Sequence, residues 1–132
     1  TKPGNKVSDS DFKIIESMPV KSLITFPKTG LTHYSLKLNV NGHAWAGDKN
    51  IKKLEISIDY GVTWIEAYLF NPINKYAWQD WNIEIIFPSK GYYEIWSKAT
   101  DEDNISQPYD INWNPKGYLN NTIHRIHTVI NV

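Results

Sequence analysis

Histidines and carboxylates are the side chains here with chemistry to offer, and their spacing limits it. The histidines are His33, His43, His124 and His127. His124 and His127 lie in "TIHRIHTVINV", which reads as a strand. Residues three apart on a strand point to opposite faces, so these two cannot share a metal; on a helix they could. His33 falls in a loop and His43 at a strand edge. All four read as polar surface or as inter-strand hydrogen-bond partners. Asp101, Glu102 and Asp103 cluster in "TDEDN". A calcium loop also needs a glycine turn and a distal glutamate, which this stretch lacks, so it reads as a solvated corner between strands. There is no Gly-x-Ser-x-Gly elbow, phosphate loop or dinucleotide glycine motif. The chain has no cysteine. Disulfides, thiolate catalysis and cysteine-ligated metal sites are therefore excluded.

The tryptophans remain: Trp45, Trp64, Trp78, Trp81, Trp96 and Trp113. Counting alternate residues along the strand-like runs sends Trp81 inward with Ile83 and Ile85. It sends Trp78 outward with Asp80 and Glu84, and Trp96 outward with Glu94 and Lys98. Trp45 falls outward with His43, unless a bulge at Gly42 or Gly47 re-aims it. Outward tryptophan marks a protein interface, a sugar-stacking platform or a surface that a loop covers. Trp45, Trp78 and Trp96 are the interface candidates.

The elements that must position these residues are strands. "PVKSLITFP" is β-rich and bounded by prolines. Leu36, Leu38, Val40, Gly42 and Ala44 share one face of their run; Leu54, Ile56 and Ile58 share another. Trp81, Ile83, Ile85 and Phe87 do the same, as do Tyr93, Ile95, Ser97 and Ala99. Asp59-Tyr60-Gly61 fits a three-residue hairpin with a type I turn and Gly61 in the left-handed bulge position. No helical period is visible. About seven short strands predict an all-β, immunoglobulin-like antiparallel sandwich. Residues 18–132 form that domain, and residues 1–17 read as a linker or N-terminal arm from a missing upstream domain. The 132 residues are 41% hydrophobic, enough for one core. Fourteen basic residues balance fourteen acidic ones, so no charged field invites nucleic acid or an anionic membrane. No apolar run approaches the ~20 residues that span a bilayer.

Several segments together carry a resemblance. "NGHAWAG", "IKKLEISIDYGVTW", "YAWQDW", "GYYEIWSKATDEDNISQP", "WNPKGYLNN" and "HRIHTVINV" follow one another as they do in the C-terminal domain of sulfite oxidase-type molybdenum enzymes. That domain is called the molybdenum-cofactor oxidoreductase dimerisation domain. The resemblance covers roughly Met18 to Val132. It implies an immunoglobulin-like sandwich that pairs with itself as a homodimer and packs on an upstream catalytic domain. In that reading the upstream domain holds molybdopterin and the cysteine that ligates molybdenum, and this domain binds no cofactor and does not catalyse alone. The family's last strand carries a His-Arg pair whose arginine reaches the anion pocket above molybdenum; "IHRI" gives that role to Arg125. A guanidinium suits it, being always charged and able to grip an oxyanion with two donors. A cross-strand ion pair is the structural alternative for Arg125.

The chain departs from the family's pattern in places. Tyr60 stands where glycine is common, Lys98 where arginine is common, and Ile123 where some members carry tryptophan. The last lies beside the implied pocket, which widens the substrate from sulfite to related sulfur compounds. Bacterial relatives are commonly periplasmic, which implies that compartment. The competing class is a free-standing immunoglobulin-like module that binds protein or carbohydrate through Trp78 and Trp96.

Overall fold

The structure is a computed structural model that describes residues 20–47, 49–72, 78–108 and 122–132. The arm expected over residues 1–17 and all of "WNPKGYLNN", with Trp113, lie outside them. Among the described residues there are nine strands and no helix. They are β1 (Lys21–Phe26), β2 (Thr32–His33), β3 (Lys37–Trp45), β4 (Ile51–Ser57), β5 (Ile65–Glu66), β6 (Tyr68–Leu69), β7 (Gln79–Ile86), β8 (Gly91–Asp101) and β9 (His124–Ile130). Two sheets form a sandwich: β1-β3-β7-β6, and β2-β9-β8-β4-β5.

Alternation in the sequence becomes burial in the sandwich. Leu38, Val40 and Ala44 of β3 are buried while Lys37 and Asn39 are exposed. On the facing sheet Leu54, Ile56, Ile95 and Ala99 are buried, and Trp81, Ile85 and Phe87 complete the core. Five of the six longer strands fall inside the runs read from the sequence, and β4 begins at Ile51, two residues ahead of its run. The remaining three have two residues each, too short to show any period. One of them overturns the purely antiparallel expectation: β2 pairs with β9 in parallel, Thr32 opposite Val129. His33 is thus a strand residue and not a loop residue, and His43 lies within β3, a central strand of its sheet.

Gly42 occupies an inward position on β3, where its neighbours two residues away are Val40 and Ala44. It pairs with Ile24 of β1 and Trp81 of β7. A Cβ at this position would run into the Leu23 carbonyl oxygen and stand 2.7 Å from Trp81 Cζ2. The indole fills the space that a side chain would need. Its Nε1–H donates to the His43 carbonyl at 3.2 Å, which satisfies the one polar atom of a buried ring.

Polar side chains join the sheets from inside. The Ser22 hydroxyl of β1 lies 2.8 Å from the Ser97 hydroxyl of β8 and donates to Gln107 Oε1 at 2.6 Å. Gln107 Oε1 also accepts from the Ala99 amide, and its Nε2 donates to the Thr122 carbonyl just before β9. Gln79 of β7 reaches across to accept from the Ile51 amide of β4 at 2.9 Å and donates to the Phe70 carbonyl. Buried polar atoms left without partners would each cost about 1–3 kcal/mol, so these bonds fix how the sheets register on each other.

Two corners differ from expectation. Tyr60 and Gly61 both have positive φ, 59° and 85°, and the Val62 amide bonds the Asp59 carbonyl. That is the signature of a type I′ turn and not of the expected type I turn. A left-handed tyrosine is unfavourable, so the loop must be held from elsewhere. The Thr63 hydroxyl and amide and the Ser57 hydroxyl all donate to the Asp59 carboxylate, which lowers its pKa from 3.8 to about 2. Ser57 Oγ also accepts from the Gly61 amide at 2.9 Å. The second corner is Asp101, expected to be solvated but in fact buried. Its carboxylate accepts from the Asp103 and Ile105 amides and closes the loop after β8. Asp103 pairs with Lys49 at the surface.

Gly42→Ala should destabilise the domain by ~1–3 kcal/mol, since backbone and indole both stand in the way of the added methyl. Urea unfolding reads this as a lower midpoint; an unchanged midpoint would mean that β1 and Trp81 are not packed as described.

Candidate functional site

β1 and the start of β9 enclose a recess of about 320 Å³, lined by Lys21, Ser22, Leu23, Thr122, Ile123, His124 and Arg125. No carboxylate lines it, while Lys21 and Arg125 supply two cations. The Ile24 amide donates to His124 Nδ1 at 2.9 Å, so the neutral ring carries its proton on Nε2. Burial first, and then the nearby Lys21 charge, lower the His124 pKa below its ordinary 6.5. His124 is thereby kept neutral, with Nε2–H as a donor. The three basic side chains suit an oxyanion better than a cation.

Arg125 faces the outer surface of its sheet, where it is opposite Trp96 of β8. Its guanidinium carbon lies 4.4 Å from the centre of the Trp96 ring. The indole Nε1–H donates to Glu94 Oε1 at 2.9 Å, and the Tyr60 ring meets Trp96 edge-on. Lys98 similarly stands 4.1 Å over the Trp64 ring. Cation–π contacts of this kind hold a charge in place without cancelling it.

Trp45 and Trp78 lie on the outer face of the opposite sheet. Trp78 stacks on His43 with centroids 4.6 Å apart and meets Trp45 at 5.9 Å. His43 Nδ1 is 2.7 Å from Asp80 Oδ1. The structure therefore brings Trp45 and Trp78 together, and it puts Trp96 with Arg125 on the other side of the sandwich. Lys21 and the His43–Asp80 pairing were not singled out from sequence; His124 was, but not as part of a recess with Lys21. The outward parity of His43 and Asp80 was visible, but their juxtaposition needs the β3–β7 register.

His124 and His127 do diverge. His127 stacks with Tyr92 and bonds Thr29, while His124 faces the recess. Among the described residues no group of three or more histidines and carboxylates is placed to hold a metal ion.

The chain is an all-β sandwich that carries aromatic side chains and ring-stacked cations on its outer faces. Residues 12–131 match the Mo-co oxidoreductase dimerisation domain, and the chain belongs to that family. It is similar to the mitochondrial sulfite oxidases of Rattus norvegicus and Homo sapiens, each 32% identical over 124 residues, covering 88% of this chain and 23% of theirs. It is also similar to an NADH nitrate reductase of Oryza sativa subsp. japonica, 32% identical over 126 residues, covering 82% of this chain and 13% of that one. Among solved structures, the sulfane dehydrogenase SoxCD from Paracoccus pantotrophus superposes with a TM-score of 0.72 at 27% identity, over 87% of this chain and 32% of that one. The chain thus spans about a quarter of the sulfite oxidases that it matches, at 23%.

The lowered His124 pKa gives stability a pH dependence of definite sign. The unfolded chain binds a proton near 6.5, and the folded chain only at lower pH. The His124 contribution is therefore complete above about pH 6.5 and is lost as pH falls towards the folded value. His124→Gln should remove that part of the slope. Unfolding midpoints of both proteins from pH 8 to pH 5 check this; parallel curves would contradict it.

Proposed function

We propose that this chain is the C-terminal dimerisation domain of a sulfite oxidase-like molybdenum oxidoreductase. The parent enzyme oxidises sulfite or a related sulfur compound by oxygen-atom transfer in an upstream domain. The observation that carries this reading is the family match along nearly the whole chain, together with relatives several times longer. The domain supports that chemistry by pairing two copies of the enzyme and by closing one wall of the substrate pocket. Its immunoglobulin-like sandwich supplies the rigidity for both, and the periplasm is the compartment that bacterial relatives favour.

Molybdopterin does not fit on this chain. There is no cysteine to give molybdenum a thiolate. The cofactor belongs to the upstream domain, where it supplies the oxygen transfer. What this chain offers is Arg125. Resting on Trp96, its guanidinium projects from a rigid strand with its charge retained, and it orients an oxyanion by two parallel hydrogen bonds. Lys21 and the Nε2–H of His124 add positive potential beside it.

Arg125→Met in the molybdenum-loaded parent tests this role. Losing charge-assisted bonds of ~1.5–3 kcal/mol should raise KM for the oxyanion substrate about 10- to 100-fold. Native mass should be unchanged, and Arg125→Lys should restore only part of the loss. An unaltered KM would leave Arg125 as a purely structural partner of Trp96.

A further inference from the structure

We propose that Tyr60 is a positioning residue for Arg125: it braces the Trp96 ring on which the guanidinium rests. This brace serves the oxyanion role given to Arg125 above and rests on it. The strand register puts the parts in one row. Arg125 of β9, Trp96 of β8 and Ser57 of β4 stand opposite one another, with β8 between the other two strands. The guanidinium carbon lies 4.4 Å from the centre of the Trp96 ring. The Tyr60 ring meets the same indole edge-on, with centroids 6.1 Å apart and planes at 88°. Tyr60 belongs to the turn that follows β4, so ring and guanidinium come to the indole from opposite neighbouring strands.

The backbone of Tyr60 is the second observation. Its φ is 59°. Glycine enters that region freely, and a residue as bulky as tyrosine does not. The turn is clamped all the same. Ser57 and Thr63 donate to the Asp59 carboxylate, and Ser57 Oγ accepts from the Gly61 amide at 2.9 Å. The clamp is thus anchored on the cross-strand partner of Trp96 itself. Strain of this kind persists only where the surroundings over-determine it. What it delivers here is a ring against Trp96.

The indole is fixed from its polar end as well, where Nε1–H donates to Glu94 Oε1 at 2.9 Å. Held at both places, it presents a constant face to the cation. An arginine loses rotamer freedom when it grips an anion, and a platform that restricts it beforehand lowers that loss. Tyr60 therefore acts on anion affinity through Trp96 and Arg125, without touching the anion.

The test uses the molybdenum-loaded parent, with sulfite turnover and with the dissociation constant of sulfate, an oxyanion that is not consumed, read by calorimetry. Tyr60→Gly should raise KM and the sulfate dissociation constant about 3- to 10-fold while kcat stays within about 2-fold, as loss of one edge-to-face pair implies. Its thermal midpoint should not fall, because glycine relieves the left-handed backbone. A merely structural tyrosine would do the reverse, lowering the midpoint and sparing the affinity. Tyr60→Phe keeps the ring and should match the wild type. Tyr60→Asn, ringless and tolerant of this backbone, replaces the glycine variant if that one does not fold. In an Arg125→Met background Tyr60→Gly should cause no further loss. Wild-type sulfate affinity in Tyr60→Gly, beside a loss in Arg125→Met, would overturn the brace and leave the role of Arg125 intact. An equal loss from Tyr60→Gly with and without Arg125 would overturn the brace too. Unaltered affinity in Arg125→Met would end both.

Discussion

Trp81 lying on Gly42 is the contact from which the rest of the architecture follows. Because residue 42 has no side chain, β1 and the indole close on the same point of β3 from two sides. Three strands of one sheet are locked in register at that point, and the indole seals the core below it. The outward residues are then placed without further freedom. His43 must stand beside Leu23 on one side and Asp80 on the other, and Trp78 must lie over the imidazole. A glycine that looks like a weakness in an alternating strand is what allows a tryptophan to be a core residue there.

The second constraint is polar. Ser22, Ser97 and Gln107 tie β1 to β8, and Gln107 extends the tie to the residue that leads into β9. Hydrophobic contact alone would let the sheets slide; a buried chain of hydrogen bonds does not, because each slip would strand a desolvated donor or acceptor. The recess opens where these elements meet, and Arg125 follows two residues after Ile123, itself buried against that junction. The basic residues thus stand beside this buried hydrogen-bonded junction. That setting is what the role proposed for Arg125 requires.

Much of this was legible in the sequence. Alternation identified β3, β4, β7 and β8 with the inward side of each, β-rich composition marked β1 and β9, and Trp81 and Trp78 were separated by parity alone. The family resemblance of the ordered segments was legible as well. What escaped has physical reasons. Two-residue strands have no period to detect, so β2, β5 and β6 were silent, and with β2 the parallel pairing. Tyr60 was read as tolerating a type I turn because the sequence does not show that Ser57, Asp59 and Thr63 converge to hold a type I′ turn. Asp101 looked solvated because its acidic neighbours are; its own carboxylate is consumed by backbone amides two and four residues on. The tryptophans were assigned outward correctly, but which outward face each takes depends on sheet order, which local pattern does not encode.

The central claim is that this domain serves a molybdenum oxidoreductase from which it is inseparable in use. The most direct test is the mass and molybdenum content of the native protein, captured from its source with an antibody against this domain. The account predicts a chain several times heavier than 15.3 kDa that carries stoichiometric molybdenum. A native 15.3 kDa chain free of molybdenum would contradict it and would return the outer tryptophans to the role of a free-standing binding module.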